Sequence, residues 1–120
     1  MRTLVITLAL TLALGASFAR AAQPPPVALT VVNVEYEGTK MWLPGTLVVK
    51  KGSKVTLNLI NNVPPDGSQH GFAIPGYKIE EIVTKGEPKT VEFTADKTGV
   101  FEIRCQLHPK HVGGQLVVLP

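Results

Sequence analysis

Cysteine is nearly missing from this chain: Cys105 stands alone among 120 residues. A lone thiol cannot close an internal disulfide, so it is a free thiol, half of an intermolecular bridge or a metal ligand. No C-x2–4-C pair exists to build a structural zinc site. Methionine is almost as rare, with Met1 and Met41 only. Helical periodicity is lacking as well. No segment keeps a 3.6-residue apolar repeat beyond two turns, and no internal repeat or low-complexity tract appears, which leaves strands as the building material. An excess of basic charge is also absent once the first residues are set aside.

Those first residues read as an address. Met1-Arg2 gives a positive start, Leu4 to Leu14 (LVITLALTLAL) is an apolar run too short to span a bilayer comfortably, and Ala19-Arg20-Ala21 has the small-x-small pattern of a cleavage site. Residues 1–21 are therefore expected to be a signal peptide, residues 22–27 a proline-rich leader, and residues 28–120 one domain. Export is expected to follow, to the periplasm or otherwise out of the cytoplasm, with no stable membrane insertion after cleavage. The remaining chain carries ten basic and nine acidic residues, so no basic face is available for nucleic acid. In an oxidising compartment an exposed free thiol is a liability, which points Cys105 towards metal.

Strand signals fill the domain. Ala28–Tyr36, Thr46–Lys50, Lys54–Ile60, Gly71–Ile74, Lys89–Thr94, Val100–Cys105 and Gln115–Leu119 are rich in β-branched residues or alternate with period two. Ile79–Thr84 is open between a strand and one helical turn. Asn61–Gln69 (NNVPPDGSQ) is a loop by composition. Seven or eight short strands at this spacing predict an all-β domain, a Greek-key antiparallel β-sandwich or barrel. Met41, beside Trp42, reads as core packing.

The chain has three histidines, and two follow the cysteine closely, in Cys105-Gln106-Leu107-His108-Pro109-Lys110-His111. His70 lies between the proline-rich loop and the next strand. One thiolate with imidazoles, and few or no carboxylates, is a donor mix for copper or zinc rather than Mg²⁺ or Ca²⁺. One thiolate with two histidines and a weak axial ligand is the pattern of electron-transfer copper.

Three stretches resemble the cupredoxins: Leu43 to Gly52 (LPGTLVVKKG), Asn61-Asn62 leading through a loop into His70-Gly71-Phe72, and the closing Cys105-x2-His108-x2-His111. The last has the short spacing of the amicyanin loop. Thr46–Gly52, Phe93–Lys97 (FTADK) and Cys105–Lys110 (CQLHPK) are most similar to nitrosocyanin, the red copper member. The resemblance implies one copper ion, with Cys105 as thiolate, His70 and His108 as imidazole ligands and His111 at the axial position. A nitrogen donor there implies a green or red centre of lower potential than methionine gives. The implied role is a one-electron carrier that docks redox proteins briefly near His108. A small-molecule enzyme at an open copper position is the alternative. A copper store ranks last, because methionine-rich and paired-cysteine sites are both missing.

Overall fold

Val55, Leu57, Leu59 and Asn61 alternate with exposed or half-exposed partners, so one face of their strand is buried along its whole length. The same period-two rule builds the rest. The computed structural model describes residues 20–120; residues 1–19, and with them most of the expected signal peptide, lie outside the described part. Nine strands follow in order: β1 Val27–Tyr36, β2 Thr39–Leu43, β3 Thr46–Lys50, β4 Lys54–Asn61, β5 Gln69–Ile74, β6 Ile79–Thr84, β7 Lys89–Thr94, β8 Gly99–Ile103 and β9 Gly114–Leu119. One short 3-10 turn, Pro75–Tyr77, joins β5 to β6. Among the described residues, no helix is long and apolar enough to cross a membrane.

The strands form a four-stranded sheet in the order β2-β1-β4-β7, a three-stranded sheet β3-β9-β8 and the hairpin β5-β6. An all-β sandwich was expected, and this is one. Two of its ladders, β1/β4 and β3/β9, are parallel, so the sheets are mixed rather than wholly antiparallel. Parallel neighbours need long crossovers, and here the intervening strands supply them across the sandwich. Ile79–Thr84 pairs fully with β5 as a strand. Strand β2, unread in the sequence, pairs with β1 from Val32↔Leu43 to Tyr36↔Thr39.

Between the sheets lie Val31, Leu47, Val49, Val55, Leu57, Leu59, Phe72, Ile74, Val83, Leu116 and Val118, all buried. Trp42 closes the core towards one pole, edge-on to Phe72 with ring centroids 5.3 Å apart. At that pole β1 and β4 end, β9 begins, and the hairpin meets the end of β8. The joint is a reciprocal pair of backbone bonds between Ala73 and Arg104, at 2.8 and 3.0 Å.

Candidate metal centre

A braced loop delivers His70. Residues 62–68 connect β4 to β5, and the side chain of Asn61 holds them: its amide donates to the carbonyls of Ser68 (2.9 Å) and Val83 (3.1 Å), and its oxygen accepts from the Val63 N–H (2.9 Å). His70 then enters β5 as a buried residue, 4% exposed.

The closing loop delivers the other three. The N–H of His108 donates to the Cys105 carbonyl at 3.3 Å, and that of His111 to the His108 carbonyl at 3.0 Å. Two successive i→i+3 turns stack every third side chain on one side. The C-x2-H-x2-H spacing therefore lets the three donors converge. Val112 ends the loop by donating to the Lys40 carbonyl at 3.0 Å.

The four side chains meet. One donor atom from each of His70, Cys105, His108 and His111 lies within 4.8 Å of every other, a group that could hold a metal ion. The imidazole centroids are 5.1 Å apart for His70–His108 and His70–His111, and 4.5 Å for the stacked pair His108–His111. Nδ1 of His70 and Nδ1 of His111 are buried without a hydrogen-bond partner, while His108 Nδ1 stands 3.4 Å from Cys105 Sγ. Buried polar atoms are nearly always paired. A bound cation would supply the partner that these two ring nitrogens lack. Sulfur and nitrogen donors without a carboxylate fit copper or zinc.

Electrostatics keep the imidazoles available. Burial pushes the pKa of His70 down to about 4, and His111, His108 and Lys40 push the same way against Glu35. His111 is lowered by burial, then by His108 and Lys40. Both rings are therefore neutral at neutral pH, the form that binds metal. Lys40 and Glu35, paired across β1 and β2 at 3.2 Å, flank this side of the cluster. Cys105 is 3% exposed, and its sulfur accepts the Gly71 N–H at 3.2 Å. His108 is exposed and His111 half-buried. A cleft of about 500 Å³, lined by Cys105, His108 and His111 together with Gln106, Arg104 and Gly113, reaches the cluster from outside.

All four expected site residues converge. Missed in the sequence were the contacts that support them: Trp42, Gly71, Gln106, and the Glu35–Lys40 pair. No spacing signal marks these, because β1, β2, β5 and the closing loop bring them together only in the folded chain.

Fold and cluster together define a β-sandwich with a single site of one cysteine and three histidines at one pole. Residues 4–118 match the cupredoxin-like domain family, and the chain belongs to it. It is 47% identical over 57 residues to the nitrous-oxide reductase of Cupriavidus necator, a match covering 48% of this chain and 9% of that protein. Copper nitrite reductase from Nitrosomonas europaea superposes with a TM-score of 0.60 at 25% identity, over 78% of this chain and 41% of that one. Dithionite-reduced auracyanin from Roseiflexus castenholzii gives a TM-score of 0.63 at 15% identity, over 78% and 97%. Within this family, the cluster of His70, Cys105, His108 and His111 is a group that could hold one copper ion.

Proposed function

We propose that this protein is an exported one-electron carrier whose copper ion is held by Cys105, His70, His108 and His111. One observation carries the reading: the four donors already stand within 4.8 Å of one another. Copper in such a set supplies a Cu(II)/Cu(I) couple. A preassembled cage needs little rearrangement between the two states, which favours fast transfer. His108 is the exposed edge of the cage. Leu107 and Val112 beside it are 41% and 50% exposed, an apolar rim suited to brief docking of a redox protein. Export rests on the signal-like residues 1–21.

The cleft of about 500 Å³ against Cys105, His108 and His111 supports a second reading, a red, nitrosocyanin-like centre with an open position for a small ligand. One experiment tests both. The purified protein is titrated with Cu(II) and followed by metal analysis, visible absorption and electron paramagnetic resonance, with and without azide. One tightly bound ion is expected, with a thiolate charge-transfer band that Cys105→Ser abolishes. Copper uptake with unchanged colour in Cys105→Ser would overturn the centre. A spectrum blind to azide supports the carrier, and a strong azide shift supports the open site.

A further inference from the structure

Gly71 is gripped from two sides. Its carbonyl accepts the indole N–H of Trp42 at 2.8 Å, while its own N–H donates to the sulfur of Cys105 at 3.2 Å. Trp42 is 6% exposed and lies edge-on to Phe72. On the opposite side lies Gln106. Its side-chain amide fills the space a Cβ on residue 71 would need, and its backbone nitrogen lies 3.0 Å from that point. The Gln106 amide donates to the Glu81 carbonyl at 2.9 Å, and Glu81 is paired with Phe72 across β5 and β6. A Cβ at residue 71 would have to displace the end of the Gln106 side chain and press on its backbone nitrogen, so glycine is favoured here by close approach rather than by an unusual φ. The residue directly after Cys105 is thus fastened to the β5-β6 hairpin, with Gly71 trapped in between.

We infer that Trp42 and Gln106 are positioning residues that clamp Gly71 so that its N–H stays aimed at the thiolate, and that this clamp sets the potential and colour of the copper centre. The inference rests on the copper reading above. An N–H dipole directed at sulfur stabilises negative charge there, and the reduced site carries more of it. Hydrogen bonding around the cysteine sulfur is a lever on the potential of copper–thiolate sites, and outer partners that orient such bonds share in that control. A slackened clamp therefore lowers the reduction potential and shifts the thiolate charge-transfer band, without removing any donor.

Trp42→Phe keeps an aromatic ring against Phe72 and removes the indole donor. Gln106→Leu keeps the volume and removes the amide. Phe72→Leu is the packing control, since it disturbs the same contact and leaves both hydrogen bonds. Each variant is loaded with copper, checked for one ion per chain, and read by visible absorption, redox titration and melting of the metal-free form. The expected result is a lowered potential and a moved band in Trp42→Phe and Gln106→Leu, against a lowered melting temperature with unmoved band and potential in Phe72→Leu. Should Trp42→Phe not fold, Gln106→Leu carries the same expectation. The inference is overturned if Trp42→Phe and Gln106→Leu, with copper bound, keep the parent band and potential. It is equally overturned if Phe72→Leu reproduces their shifts. Failure of the parent protein to bind copper would instead overturn the centre itself.

Discussion

His111 occupies the one position where two demands compete. The turn that carries it needs only its backbone N–H, which bonds to the His108 carbonyl at 3.0 Å, so residue 111 is free to be chosen for its side chain. A histidine there stacks on His108 and leaves Nδ1 buried and unpaired, a costly arrangement unless a cation is the partner. Methionine at the same position would bring a softer, weaker donor, which favours Cu(I). His111→Met is accordingly expected to retain one copper ion, raise the reduction potential and move absorption towards a blue centre. Redox titration with visible and paramagnetic spectra checks this. An unchanged potential and spectrum would show that residue 111 does not touch the ion.

The strands place these residues through a few close backbone approaches. β9 begins at Gly114, where a Cβ would run into the Gly45 carbonyl oxygen and stand 3.1 Å from its carbon and 3.3 Å from its Cα. Backbone cannot swing aside as a side chain can, so Gly114→Ala must push β3 and β9 apart just where the ligand loop rejoins the sheet. Overpacking of this kind costs about 1–3 kcal/mol, or roughly 5–20 °C in the melting temperature of a domain this size. Thermal unfolding of the metal-free variant measures it, and a melting temperature equal to the parent's would show that the junction yields freely. Much at this scale was legible in the sequence. Alternation marked β4, β7 and β9, and the three-residue spacing of Cys105, His108 and His111 encoded the turns that align them. Strand β2 escaped because Lys40-Met41-Trp42 does not alternate cleanly; its identity comes from pairing with β1 and from Trp42 reaching Gly71. The parallel ladders escaped for a related reason. Period-two patterns report which face is buried, and they carry no information on which neighbour a strand chooses. Gly71 and Gln106 meet only because the Ala73–Arg104 joint brings β5 against the end of β8.

For the molecule as a whole, the cluster sets a conflict between metal and protons. Burial and the neighbouring rings hold the pKa of His70 at about 4 in the folded chain, against 6.5 for an ordinary histidine, and His111 is shifted the same way. Above pH 6.5 these rings are neutral in both states and cost nothing. As pH falls from 6.5 towards 4, the unfolded chain takes up a proton that folded His70 refuses, so stability declines across that window and the part of the decline linked to His70 is complete below 4. The ion pairs of the surface contribute little to this slope, since exposed pairs are weak. A bound cation replaces the protons and belongs to the folded state alone. At a thousandfold excess over the dissociation constant it adds about 4 kcal/mol. Melting of the metal-free protein between pH 7.5 and 4.5 is expected to fall steadily, with the slope reduced in His70→Gln, where the refused proton no longer exists. The copper-loaded protein should melt higher at pH 7.5 and lose that advantage as acid drives the ion out. A metal-free melting temperature flat across the range would contradict the buried, neutral His70, because a ring free to protonate in the folded chain leaves no difference for acid to act upon.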